Sequence, residues 1–135
     1  MTLPLRDHMD VRRVMIVEDS PMLAERLREL LGQRPDLSVE AIVDTESAAV
    51  KAVEGRHFDV MIVDVELREG SGISVVRRIR EITQGRNRPW IIVLTNYAFP
   101  AVRARCLAAG ADHFLDKMKD FPRLLGLIAD AHTLQ

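Results

Sequence analysis

Three short runs of the chain are apolar at every position: Val14 to Val17, Val60 to Val63 and Trp90 to Leu94. They are rich in β-branched residues, and none alternates with polar side chains. A strand with one wet face must alternate, because successive side chains point to opposite sides of a sheet. Strands that do not alternate are buried on both faces, which is the condition of inner strands in a parallel sheet. A helical period follows each run. Ser20 stands as an N-cap and Pro21 at a first helical position, with Leu23, Leu27, Leu30 and Leu31 at helical spacing. Thr45 caps a second helix with Ala49, Ala52 and Val53 inward. Ser71 or Ser74 opens a third carrying Ile73, Val76, Ile79 and Ile82. Pro100 opens a fourth, with Val102, Cys106 and Ala109 inward and Gly110 as its stop. Phe121, Leu124, Leu125, Ile128 and His132 make the stripe of a fifth. Two weaker strands, Ser38 to Val43 and Asp112 to Leu115, complete five βα pairs. The fold class is therefore α/β: an open, doubly wound, five-stranded parallel sheet with right-handed crossovers and helices on both faces.

Composition supports one such domain and excludes several alternatives. A chain of 135 residues with 47% hydrophobic side chains can bury a core without a disulfide or structural metal. Its net charge of −1 provides no general basic field for nucleic acid. The single cysteine, Cys106, excludes an internal disulfide and a four-cysteine zinc site, and fits a reducing, cytoplasmic location. The longest apolar run is far shorter than the roughly 20 residues of a membrane span. Residues 1–11 have no signal-peptide core and read as a short, loosely ordered leader. Residues 12–133 read as the domain.

In sheets of this kind, ligands bind beyond the carboxyl ends of the strands. The residues just past the strong runs are Glu18 and Asp19, Asp64, Thr95 with Asn96, and, past the fifth strand, Lys117. Three carboxylates, a hydroxyl and an ammonium would then converge at one edge. Close carboxylates repel and raise one another's pKa values. A hard divalent cation relieves that repulsion, and Mg²⁺ prefers oxygen ligands while keeping several waters. Such a site can accept a phosphoryl group, with Asp64 as nucleophile and Thr95 and Lys117 binding its oxygens.

Taken in order, Val17-Glu18-Asp19-Ser20, Phe58 to Asp64, Gly70-Ser71-Gly72, Leu94-Thr95 and Gly110 to Lys117 resemble the motifs of the receiver domain of two-component response regulators. The resemblance spans roughly Arg12 to Thr133. It implies a flavodoxin-like fold with strand order 2-1-3-4-5, which is also the order given for such proteins in general. It implies that Asp64 is the phosphoacceptor, served by a sensor histidine kinase or a phosphotransfer protein. Asp19 is then the direct Mg²⁺ ligand, Glu18 its partner acid acting through water, and the Glu66 backbone carbonyl a further ligand. Thr95 is the switch hydroxyl, Lys117 the site lysine and Phe114 the switch aromatic. Glu66 and Tyr97 flank the approach of hydrolytic water and tune dephosphorylation. Four positions depart from the family pattern. Arg68 and Met118 stand where proline is usual, Asn96 where a small residue is common, and Phe114 where tyrosine is frequent. Without that proline, the Lys117–Met118 peptide is expected to be trans.

The resemblance further allows a homodimer through the face made by the fourth helix, fifth strand and fifth helix, where Arg103 and Arg105 lie. No nucleic-acid partner is expected for this chain alone, since no DNA-recognition segment follows before Gln135, and no membrane partner is expected. Arg77, Arg78, Arg80, Arg86 and Arg88 read as a solvated basic face. His8, His57, His113 and His132 lack metal-ligand spacing, and Cys106 reads as core packing. Two other functions are compatible with the residues. One is an aspartate-nucleophile phosphatase of the haloacid dehalogenase type, with Glu66 as general acid. The other is a receiver-like binding module that works without phosphorylation. The leading expectation is a phosphorylation-controlled signalling module rather than a turnover enzyme.

Overall fold

The structure is a computed structural model and describes residues 11–85 and 88–134, with the backbone alone for 130–134. Residues 1–10 of the expected 1–11 leader, with His8, and Arg86 and the side chain of His132 therefore lie outside the described residues. Five parallel strands form one sheet in the order β2-β1-β3-β4-β5. They are β1 (Arg12–Val17), β2 (Leu37–Val43), β3 (Val60–Val63), β4 (Trp90–Thr95) and β5 (His113–Asp116). The helices are α1 (Pro21–Leu31), α2 (Glu46–Gly55), α3 (Gly72–Thr83), α4 (Pro100–Ala109) and α5 (Leu124–Leu134). This is the expected flavodoxin-like order.

The three apolar runs are the three inner strands, and their buried side chains divide between two cores. Met15, Val17, Met61, Val63, Ile91 and Val93 face α2, α3 and α4, where they meet Ala49, Ile73, Val75, Val76, Ile79 and Cys106. Val14, Ile16, Val60, Ile62, Ile92 and Leu94 face α1 and α5, where they meet Leu27, Leu31, Leu124 and Ile128. Alternation along each strand is present, but both destinations are apolar, so it leaves no trace in the sequence. Each such side chain contributes roughly 1.5–3 kcal/mol by leaving water.

The caps fall where expected. Ser20, Thr45 and Ser71 accept from the N–H groups of Leu23, Ala48 and Ser74 at 3.3, 3.1 and 3.1 Å. Gly110 ends α4 with φ at +119°, a left-handed conformation that favours glycine. Several boundaries differ from the sequence reading, β2 starting one residue earlier at Leu37 and β4 ending one later at Thr95. β1 starts at Arg12, where the Arg12 N–H reaches the Asp36 carbonyl at 2.9 Å. β5 is shifted by one residue, because Asp112 turns its carboxylate back onto the Ile91 N–H at 2.8 Å. Residues Phe121–Arg123 form a 3₁₀ turn, and α5 begins only at Leu124. Ile82, expected on the inner stripe of α3, is 41% exposed.

Candidate functional site

Four strand ends build the site. Glu18 and Asp19 follow β1, Asp64 follows β3, Thr95 ends β4 and Lys117 follows β5. The backbone continues the sheet one step into the site. The Asp64 N–H donates to the Val17 carbonyl and the Lys117 N–H to the Thr95 carbonyl, both at 2.9 Å. Asp64 and Lys117 are thus fixed by sheet register rather than by loops.

The side chains converge as the sequence predicts. Lys117 Nζ lies 3.1 Å from Asp64 Oδ2 and 3.1 Å from Glu18 Oε1. One ligand atom from each of Glu18, Asp19 and Asp64 falls within a 4.8 Å cluster, the set among the described residues that could hold a metal ion. Glu18 and Asp64 are buried, whereas Asp19 is exposed. The second Glu18 oxygen accepts from the Ser20 N–H at 3.0 Å. The Glu66 N–H reaches Asp64 Oδ1 at 3.4 Å. Burial raises the pKa of Asp64; Lys117 opposes this and Asp19 adds to it. Burial likewise raises that of Glu18, with the Ser20 N–H opposing and Asp64 adding. Mutual repulsion contributes, as the residue types suggest, but loss of water is the larger cause. Three carboxylates against one ammonium leave a formal charge of −2, and all the donors are hard oxygens. That donor set fits Mg²⁺.

The cleft is small, about 190 Å³, and is lined by Glu18, Asp19, Ser20, Asp64, Glu66, Asn96, Tyr97 and Lys117. Asn96 and Tyr97 thus line the same cleft as the acids and Lys117. Tyr97 is 46% exposed. Thr95 and Phe114 do not line this cleft. Thr95 is fully buried below it, and its hydroxyl accepts from the Tyr97 N–H at 3.1 Å. Phe114 packs, half-buried, against the core on the α2–α4 side. Ser20 joins the cleft although sequence reasoning marked it only as a cap.

The departures from the family pattern each find a place. Arg68 pairs with Asp44 through both carboxylate oxygens, at 3.2 and 3.3 Å. The Lys117–Met118 peptide is trans. Met118 is exposed, and its N–H donates to Asp116 Oδ1 at 2.7 Å. The expected basic face needs one correction. Arg80 is not solvated: it is enclosed by Asp112, Gly110 and Pro89, and Arg88 joins the same Asp112. Arg103 and Arg105 are exposed. Among the described residues no helix is long and apolar enough to cross a membrane.

Comparison with known proteins agrees with this geometry. Residues 14–129 match the response regulator receiver domain family, and the chain belongs to it. It is 35% identical over 105 residues to the gliding motility regulatory protein of Myxococcus xanthus, covering 78% of this chain and 13% of that protein. It is 32% identical over 112 residues to the two-component response regulator PhoP of Pseudomonas aeruginosa, covering 83% of this chain and 48% of that one. A two-component response regulator of the LuxR family from Aurantimonas superposes with a TM-score of 0.82 at 25% identity, covering 91% of this chain and 86% of that one. The response regulator domain of Thermotoga maritima CheB superposes at 0.78 with 24% identity, covering 93% and 98%. The chain spans half or less of the curated relatives' length.

Proposed function

We propose that this receiver domain takes a phosphoryl group onto Asp64 from a histidine kinase or phosphotransfer protein and thereby changes its affinity for a partner. The observation that carries the reading is the buried Asp64 carboxylate, held 3.1 Å from Lys117 inside a cluster of three acids. An oxygen of Asp64 attacks phosphorus; the P–O bond forms as the P–N bond to the donor's phosphohistidine breaks, and the imidazole leaves. Lys117 turns from Asp64 and Glu18 toward the incoming oxygens, and Thr95 supplies a hydroxyl from below. Asp19, Asp64 and the Glu66 carbonyl would hold Mg²⁺, with Glu18 acting through water. Bound there, Mg²⁺ supplies charge neutralisation for the phosphoryl oxygens.

The chain's own chemistry is then limited to gaining and losing this phosphate. Hydrolysis needs a water opposite the Asp64–phosphorus bond, on the side where Tyr97 and Glu66 line the cleft. Tyr97 covers that approach, and Glu66 either orients the water or repels the phosphoryl oxygens. Phe114 is the aromatic that follows Thr95 when the hydroxyl moves. A homodimer through α4, β5 and α5 is an available output. Within the chain, Asp112 is already taken by Arg80 and Arg88, and Asp120 by Arg123 and the Asp116 N–H, which leaves Arg103 and Arg105 to face a second copy. The net charge of −1 favours protein partners over nucleic acid for this chain, and a histidine kinase partner implies a cytoplasmic setting. The test is incubation with acetyl phosphate and Mg²⁺ followed by mass measurement. One phosphoryl group is expected, and none in Asp64→Asn. Undiminished labelling of that variant would place the acceptor elsewhere.

A further inference from the structure

The loop between β3 and α3 carries Glu66, and a stretch of chain with no part in the chemistry above holds it in place. The loop closes on itself: the Gly72 N–H donates to the Val65 carbonyl at 2.8 Å, and Glu66 bridges to Ser71. Its outer half is clasped by Asp44 to Ser47, at the start of α2. The Glu46 N–H donates to the Glu69 carbonyl at 3.0 Å. The Glu46 carboxylate accepts from the Ser71 N–H at 3.1 Å, the Ser74 hydroxyl at 2.7 Å and Arg78 at 3.1 Å. The Ser47 hydroxyl donates to Glu69 at 3.2 Å, and Arg68 grips Asp44. Gly70 lets Glu46 in: its φ is +82°, and a Cβ there would lie 2.4 Å from both Cβ and Oε1 of Glu46.

We propose that Glu46 is a positioning residue for the cation site, seated on Gly70 and locking the β3–α3 loop so that the Glu66 carbonyl is presented beside Asp64. This rests on the reading that Mg²⁺ binds at Asp19, Asp64 and that carbonyl. A carbonyl on an untethered loop must be ordered as the ion binds, and the lost chain entropy weakens affinity. Proline at position 68 would limit that freedom from within the loop. Arg68 stands there instead, and Glu46 supplies the restraint from outside.

The experiment measures the Mg²⁺ Kd by calorimetry for wild type, Glu46→Gln and Ser74→Ala, with urea unfolding in EDTA to report fold stability separately. Glu46→Gln should raise Kd about tenfold, in the range typical of groups that orient metal ligands, and Ser74→Ala by less. Labelling of Glu46→Gln by acetyl phosphate should be slow at limiting Mg²⁺ and recover at saturation, which a purely structural role would not produce. An unchanged Kd in folded Glu46→Gln, or a labelling defect that saturating Mg²⁺ leaves in place, overturns the proposal. If Glu46→Gln does not fold, the Kd of Ser74→Ala decides by the same criterion. Wild type that binds no Mg²⁺ overturns the cation reading and this proposal together; wild type that binds no better than the variants overturns this proposal alone.

Discussion

The two ends of the sheet each hold a buried cluster of charge, and the clusters are built differently. At the amino end, Arg80 donates to the Gly110 and Pro89 carbonyls and to Asp112 at 2.8–2.9 Å. Asp112 in turn accepts from Arg80, Arg88 and the Ile91 N–H. Two guanidiniums share one carboxylate, a formal +1 with Arg88 half exposed, and the partners interlock. At the carboxyl end, Lys117 faces Glu18 and Asp64 with Asp19 beside them, negative charge is in excess, and a cleft opens onto it. The first network joins β4 and β5 to α3 with each charge paired. The second keeps an excess of negative charge, held in place by the fold at some cost in stability, and its donor set fits a cation.

Five measurements press on this contrast. The largest effect belongs to Arg80→Met, which strands a mostly buried Asp112; urea unfolding should show a loss of about 3 kcal/mol with labelling of Asp64 retained. If that variant instead loses phosphoacceptance while remaining folded, the two ends are coupled and the contrast fails. Asp64→Asn should go the other way, removing a buried charge and raising stability in EDTA by about 1 kcal/mol while labelling vanishes. Mg²⁺ should stabilise wild type by about 1.4 kcal/mol at ten times its Kd, from the binding equilibrium alone, and should do so little or not at all for Asp64→Asn. Equal stabilisation of both would move the ion away from the acceptor.

Acid titration gives a smaller effect at the Glu46 clasp. Ser74 foremost, then the Ser71 N–H and Arg78, hold the Glu46 carboxyl below its ordinary 4.5. A carboxylate with a depressed folded pKa contributes stability that is present above the unfolded value and is lost as pH falls through the folded one. The stability gap between wild type and Glu46→Gln should therefore be constant near neutrality and close below about pH 4.5. The smallest effect is kinetic. Phosphorylated Tyr97→Ala should decay a few-fold faster than wild type, on the order of the change in water access at an exposed lid residue. An equal or slower rate would leave Glu66 as the tuning group.

Legibility in the sequence followed burial. β1, β3 and β4 announced themselves because both faces are dry, and the site followed because its acids and Lys117 lie one or two residues past those strands or their edge neighbour. β2 and β5, at the edges with half-buried positions, gave weak signals, and their limits moved by a residue. Arg80 was misread through its neighbours: among Arg77, Arg78 and Glu81 it looked solvated, yet it lies four residues after Val76 on the buried stripe of α3. Ile82 keeps the spacing, three residues after Ile79 and seven after Val75, but lies in the last turn of α3 and is 41% exposed. Glu46 stands in the first turn of its helix, where the helix dipole favours any acid, and the sequence reading did not single it out. Its reach to residues 71, 74 and 78 is a tertiary fact with no local signature.

A Cβ at Gly72 would stand 2.0 Å from the Asp64 carbonyl oxygen, so the first turn of α3 abuts the acceptor's own backbone. Asp64 is thus braced on one side, where α3 meets its backbone and α2 is tied to the same loop through Glu46. On the other side Thr95 carries the Tyr97 N–H, and the chain runs on to α4, whose start at Phe99 has no side-chain cap and whose first turn is mostly exposed. The bracing around Asp64 is therefore lopsided, dense toward α3 and sparse toward α4, and a glycine sets which side is dense.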